Sequence, residues 1–92
     1  MKVGDLVEWE SQAAAYWTTK AGKIVAIVPD DVNPLKTGFG RKAYYENTHR
    51  IMFDGGYRPH KSYLVEVPGG KTAKAMPKLY WPRVNQLKLV KL

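Results

Sequence analysis

Residues 21–31, AGKIVAIVPDD, form the stretch that decides the fold. A run of β-branched and small apolar residues lies between a glycine and a proline, and such residues favour an extended strand. Proline lacks an amide donor and aspartates favour turns, so the strand is expected to end at Pro29. The pattern predicts a β-strand over residues 23–28.

Two weaker signals precede this strand. Residues 5–10 follow a Gly-Asp turn and predict a first strand, in which alternation places Val7 and Trp9 on one face. Residues 11–15 are predicted as a loop. Residues 16–20 are predicted as a strand edge, because tyrosine, tryptophan and threonine favour extended structure.

The C-terminal third carries the remaining strand signals. Residues 62–67 predict a strand, residues 68–78 a flexible basic loop, and residues 79–81 a short strand. A proline then suits one turn of 3₁₀ helix over 82–85, because its ring fixes φ. Alternating leucines and lysines over 86–92 predict the closing strand. Alternation places Tyr63, Val65 and Val67 on one face of the strand over 62–67. In the closing strand it places Leu87, Leu89 and Leu92 on the apolar face, opposite Lys88 and Lys91.

The middle of the chain is harder to interpret. Residues 29–42 carry two prolines, two glycines and few apolar residues. This composition predicts a long, mobile connection between the second and third strands. Residues 44–53 predict one irregular hairpin ahead of an Asp-Gly-Gly turn, with a short helix over 42–52 as the alternative.

Three segments resemble SH3-like barrels of the KOW and Tudor branches: VGDLVEW, KAGKIVAIVP and YWPRVNQLKLV. The same segments are similar to a group of small bacterial and phage proteins with GDxVxW and YWPRVxxL motifs. The resemblance covers the first and last thirds of the chain. It implies an all-β fold, a small five-stranded SH3-like barrel over residues 1–92, with a long loop after strand 2 and a 3₁₀ turn before the last strand. This fold hosts many functions, so the resemblance does not fix one.

Length and composition narrow the class of protein. Ninety-two residues, of which 45% are hydrophobic and 25% charged, predict one globular domain. The chain has no cysteine, which excludes disulfides, a thiolate nucleophile and cysteine-based zinc sites. No apolar run approaches the ~20 residues that span a bilayer, and the N-terminus does not resemble a signal peptide. We therefore expect a cytoplasmic protein without a membrane partner.

Charge is unevenly distributed along the chain. The net charge is +7, but residues 1–31 hold three lysines against five carboxylates, a balance of −2. Residues 32–92 hold twelve basic residues against three carboxylates, a balance of +9. This asymmetry predicts one basic face and an anionic partner.

Motifs for catalysis or metal binding are weak. His49 and His60 have no helical or zinc-finger spacing. Residues 68–72, PGGKT, resemble the end of a phosphate-binding loop, but valine stands at position 65, where that motif requires its first glycine. Glu8 and Glu10 share a strand face that is expected to meet water, so they do not predict an acid–base pair. We predict no cofactor, no metal site and no enzymatic activity.

Aromatic and basic residues interleave along the chain, which is typical of surfaces that stack on bases and contact phosphates. An aromatic cage for a cation and a peptide groove are alternative uses of such residues. Strand alternation also predicts that one ring of the adjacent Tyr80–Trp81 pair faces outward. The candidate binding residues are Trp17, Arg41, Lys42, Tyr44, Tyr45, Arg58, Lys61, Tyr80, Trp81 and Arg83.

The leading hypothesis is a non-enzymatic, accessory nucleic-acid-binding module of phage or mobile-element type, with RNA and DNA both open. The alternative is a protein-interaction module, such as a phage-encoded inhibitor that docks on a host protein with an acidic surface. The salt dependence of binding separates the two, because phosphate contacts weaken steeply with salt. The sequence leaves the oligomeric state open.

Overall fold

The computed structural model describes residues 1–13, 16–69 and 75–90. Six strands and one α-helix follow in chain order, with a 3₁₀ turn before the helix and another before the last strand. The strands are β1 (Leu6–Ala13), β2 (Tyr16–Val28), β3 (Arg50–Ile51), β4 (Ser62–Val67), β5 (Lys78–Tyr80) and β6 (Lys88–Leu89). The helix is α1 (Gly38–Tyr45), and the 3₁₀ turns are Pro34–Lys36 and Val84–Gln86.

All six strands join one sheet in the order β3-β5-β4-β2-β1-β6. β1 pairs with β2, β2 with β4 and β4 with β5, each in antiparallel orientation. β6 returns to pair antiparallel with β1. β3 adds to the other edge, parallel to β5. Over the described residues the sheet is open, so the molecule is mostly sheet with one short helix and does not show a closed five-stranded barrel.

The strands predicted at 23–28 and 62–67 are confirmed, and the loop predicted at 11–15 is wrong in part. Residues 23–28 and 62–67 are strands at the predicted positions. β1 continues through Ala13 because its pairing with β2 extends from Leu6 opposite Lys23 to Ala13 opposite Tyr16. Residues 14 and 15 lie outside the described part of the chain.

A register shift in β2 directs apolar side chains to both faces of the sheet. Ile24 pairs with Val65, whereas Ala26 pairs with Leu64, so the extra residue between them reverses the alternation. Each face therefore carries its own buried cluster. The first cluster consists of Val7, Trp9, Ile24, Tyr63, Val65 and Leu87, and the second of Ala26, Val28, Ala43, Leu64, Leu79 and Trp81.

The segment predicted as a mobile connection over 29–42 contains a 3₁₀ turn and most of α1. Thr37 caps the helix, because its Oγ1 accepts a hydrogen bond from the Gly40 amide at 3.1 Å. Gly40 packs so closely that a Cβ there would collide with the carbonyl oxygen of Pro34. Ala43 anchors the helix in the second cluster. The hairpin predicted over 44–53 is therefore wrong, and the alternative helix at 42–52 begins too late.

The C-terminal elements are close to their predicted positions. The 3₁₀ turn lies at Val84–Gln86 rather than 82–85, and Leu87 is buried as predicted. Leu89 is 49% exposed, so it does not share the burial of Leu87 although the alternation places both on one face. It lies in β6, a two-residue strand at the edge of the sheet. Residues 70–74 of the predicted basic loop, and residues 91 and 92 of the predicted closing strand, lie outside the described part of the chain.

The helical segments among the described residues are too short or too polar to cross a bilayer.

Candidate nucleic-acid interface

Trp81 belongs to the core of the protein, not to a binding platform. Its side chain is 9% exposed, and its Nε1 donates a hydrogen bond to Ser62 Oγ at 2.8 Å. The Phe53 ring packs edge-on against it with centroids 5.9 Å apart. The indole therefore fills the second cluster, where its one polar atom has a partner.

Arg58 covers the outer side of this tryptophan. Its guanidinium carbon lies 3.7 Å from the centroid of the Trp81 ring. Its two terminal nitrogens donate hydrogen bonds to the carbonyl oxygens of Trp81 and Pro82, each at 2.9 Å. Arg58 is thus fixed against the backbone, and its contacts hold the chain around residue 58 against the end of β5.

Tyr80 is half-buried on the other face of the sheet. Its ring packs edge-on against Trp9 with centroids 5.5 Å apart, and the Lys20 ammonium lies 4.8 Å from its centroid. The prediction that one ring of the Tyr80–Trp81 pair points outward is wrong. Alternation does place the two rings on opposite faces, but both faces of this sheet are covered by apolar residues.

A groove of about 840 Å³ lies between the end of α1 and the edge of the sheet. We call it the helix groove. Its walls include two adjacent tyrosines, Tyr44 and Tyr45, whose rings stand perpendicular with centroids 5.2 Å apart. Tyr45 is 74% exposed, so its ring faces have few protein contacts. The groove is lined by Tyr44, Tyr45, Asn47, His49, Arg50, Ile51, Ala75, Met76 and Lys78.

Cations surround the two tyrosines. Arg50 and Lys78 are paired neighbours on β3 and β5, and both line the helix groove. Arg41 lies one turn back on α1, with its guanidinium carbon 5.9 Å from the Tyr45 ring centroid. None of the described side chains that line the helix groove is a carboxylate. The predicted site residues do not include Arg50 and Lys78. These two are 28 positions apart in the sequence, and their parallel pairing leaves no local sequence signal.

His49 forms part of the wall of the helix groove. Its Nε2 lies 2.6 Å from Glu66 Oε2 on β4, its Nδ1 lies 2.8 Å from Thr48 Oγ1, and Phe39 packs against its ring. The contact ties the segment after α1 to the sheet and gives the Glu66 carboxylate a partner. The described residues contain no group of three potential metal ligands.

A second groove lies at the corner between β5 and the last 3₁₀ turn. We call it the corner groove; its volume is about 690 Å³. It is lined by Arg58, His60, Lys61, Arg83, Val84 and Asn85. Burial, and secondarily the neighbouring charge of Arg83, lower the pKa of Arg58. The corner groove is therefore cationic, and among its described lining residues the His60 imidazole is the one aromatic ring.

Trp17 lies apart from both grooves. It is 63% exposed near the β1–β2 connection, and it lines a smaller groove of about 350 Å³ together with Glu8 and Glu10. Carboxylates at this position repel phosphate groups. We call this the hairpin groove; its remaining lining residues are Trp9, Thr19, Asn85, Gln86 and Lys88.

The ten predicted site residues therefore divide among separate places. Arg41, Lys42, Tyr44 and Tyr45 lie together on α1. Arg58, Lys61, Trp81 and Arg83 lie around the corner, with Trp81 beneath Arg58. Trp17 and Tyr80 join neither group.

A scan of protein families finds no model that matches this chain. Searches of curated proteins and of solved structures likewise return no significant match.

Proposed function

We propose that this protein binds single-stranded nucleic acid in the helix groove and catalyses no reaction. The observation that carries the proposal is the combination of Tyr44 and Tyr45, two adjacent exposed rings, with Arg50 and Lys78 in one groove. Aromatic rings stack on unpaired bases for ~1–3 kcal/mol per base, and arginine and lysine contact phosphates. The groove supplies both kinds of group within one surface.

The arrangement favours a single strand over a duplex. Bases in a duplex are already stacked on each other, so exposed rings gain little from them. The perpendicular rings of Tyr44 and Tyr45 offer faces in two directions, which suits bases that leave the strand separately. Stacking does not depend on base identity, so we expect weak sequence preference.

Electrostatics supports the same proposal. Residues 32–92, which contain the whole helix groove, carry a balance of +9. A field of this sign attracts a polyanion before contact and is screened by salt. Within the helix groove Arg50 and Lys78 lie on the same surface as the two tyrosine rings. Phosphates are therefore attracted to the place where bases can stack.

The strand order supports an SH3-like origin for this binding module. Setting aside the two-residue β3, the order β5-β4-β2-β1-β6 has the last strand paired with the first after a 3₁₀ turn. We propose that the chain is an SH3-like barrel in which residues 29–58 form an insertion carrying α1. In this proposal the insertion provides the binding rings of a cytoplasmic accessory module of phage or mobile-element type.

Fluorescence anisotropy with a short labelled single strand tests the proposal at two salt concentrations. We expect binding that weakens steeply with salt, and weaker binding to a duplex of the same length. Replacing both Tyr44 and Tyr45 by alanine removes the stacking surface, so binding is expected to fall by ~1–3 kcal/mol for each ring that stacks.

Tyr16→Ala is the matched control, because Tyr16 is as exposed as Tyr45 but lies on the β1–β2 hairpin. It is expected to bind as the wild type does. If the double tyrosine variant and the control bind alike, the helix groove is not the site.

A second candidate function is protein binding through the hairpin groove. It is favoured by Trp17, because an exposed tryptophan beside Glu8 and Glu10 offers a large apolar contact with a negative rim. Such a surface suits a protein partner with a complementary basic patch. Binding that resists salt and is lost in Trp17→Ala would support this function over the first.

A further inference from the structure

The corner groove contains one cation that is held in position before any ligand arrives. The Arg58 guanidinium has five N–H donors, of which two are used by the carbonyl oxygens of Trp81 and Pro82. Stacking on Trp81 fixes its plane. A side chain that is already ordered loses little conformational entropy when it binds, which favours affinity.

The groove brings three cationic side chains together. Arg58 and Arg83 lie close enough for the charge of one to act on the other, and Lys61 lines the same groove. Among the described residues no carboxylate lies within salt-bridge distance of these three side chains. Cations placed near one another repel, and an anion between them removes that repulsion.

We propose that the corner groove is an anion site that binds a phosphate group carrying two negative charges, between Arg58 and Arg83 and with Lys61 as the third contact. Arginine suits this ligand because its planar fork can donate two parallel hydrogen bonds to phosphate oxygens. The site goes beyond the helix groove, since its described lining offers three cations and, apart from the His60 imidazole, no aromatic ring. The phosphate is therefore the group that it recognises. Free phosphate and the terminal phosphate of a nucleic acid present the same chemistry.

The test is a titration of the full chain with inorganic phosphate at constant ionic strength, followed by nitrogen-15 NMR. We expect saturable shifts of the side-chain and amide signals of Arg58, Lys61, Arg83 and Asn85. Arg83→Ala and Lys61→Ala each remove a charged contact, so each is expected to weaken binding by about tenfold. Both side chains are exposed, so these variants are expected to fold.

Lys36→Ala is the matched control, because it removes an exposed charge from the first 3₁₀ turn, outside the corner groove. It is expected to leave phosphate binding unchanged. The site would be overturned if the shifts do not saturate, or if Lys36→Ala weakens phosphate binding as much as Arg83→Ala and Lys61→Ala do. Either result would show only a general attraction of anions.

A paired experiment identifies the source of the phosphate. The affinity of a single strand with a 5′-phosphate is compared with that of the same strand without it. Tighter binding of the phosphorylated strand, with the gain lost in Arg83→Ala, supports the end of a nucleic acid as the ligand. Equal binding of the two strands, with saturable inorganic phosphate, supports a small free ligand in the same site. The double alanine variant of Tyr44 and Tyr45 keeps the corner groove intact, so it is expected to bind inorganic phosphate as the wild type does. Its phosphate titration therefore tests the corner groove separately from the helix groove.

Discussion

Two arginine–aromatic contacts in this protein use similar residues for different purposes. Arg58 lies 3.7 Å from the ring centroid of Trp81, which is 9% exposed. Arg41 lies 5.9 Å from that of Tyr45, which is 74% exposed. The first contact seals a hydrophobic cluster and is fixed by two hydrogen bonds to backbone carbonyls. The second leaves its ring free for a ligand.

What distinguishes the two contacts is the cover that the rest of the chain supplies. Residues 29–58 contribute Ala43, Phe39 and Phe53 to the cluster on one face of the sheet, and Phe53 and Arg58 enclose Trp81. The same segment leaves the end of α1 at the surface, where it presents Tyr44 and Tyr45. Residue type therefore does not separate a stacking surface from a core; burial does.

The comparison is tested most strongly by truncating each ring in turn. Trp81→Ala leaves a cavity and removes the partner of Ser62 Oγ, so we expect a loss of ~3–5 kcal/mol in the free energy of unfolding. Tyr45→Ala removes an exposed ring and is expected to change that free energy by less than about 0.5 kcal/mol. Chemical denaturation of the two variants measures both values, and equal losses would contradict the distinction.

A second prediction concerns the first cluster, which lies on the other face of the sheet. Ile24→Ala removes a fully buried side chain and is expected to cost ~2–4 kcal/mol in the free energy of unfolding. Ile27→Ala is the control, because Ile27 lies in the same strand but its side chain is partly exposed. Its loss of unfolding free energy is expected to be clearly smaller. A loss below about 0.5 kcal/mol for Ile24→Ala would show that the strand does not bury this face.

The smallest predicted effect separates charge from stacking within the helix groove. Lys78→Ala removes one phosphate contact, so the slope of log affinity against log salt is expected to fall by ~0.7 for a single strand. Tyr45→Ala is expected to weaken binding with little change in that slope. Anisotropy titrations over a series of salt concentrations give both slopes. Identical slopes for Lys78→Ala and wild type would remove Lys78 from the site.

The sheet could largely be predicted from the sequence because its strands carry strong local signals. Residues 23–28 and 62–67 are rich in β-branched and aromatic residues and have clear boundaries. The barrel expected from the family resemblance requires a closure that local patterns cannot establish. The register shift between Ile24 and Ala26, which creates the second apolar face, has no sequence signal of its own.

The helix could not be predicted at its true position because its first turn is a poor helix former. It begins Gly38-Phe39-Gly40, and glycine costs about 1 kcal/mol in a helix relative to alanine. Tertiary contacts compensate: the Thr37 cap, the close packing of Gly40 on Pro34, and burial of Ala43. For the same reason the candidate site was found only in part. Tyr44 and Tyr45 were predicted, but their approach to residues 50 and 78 depends on the fold.

NMR mapping of the bound surface shows directly whether a single strand binds in the helix groove. An unlabelled single-stranded oligonucleotide is added to nitrogen-15-labelled protein, and the amide shifts are followed to saturation. We expect the largest shifts at Tyr44, Tyr45, Arg50 and Lys78, and unchanged signals at Trp17 and Thr19. Shifts confined to the hairpin groove, or no saturable shift at physiological salt, would contradict this expectation.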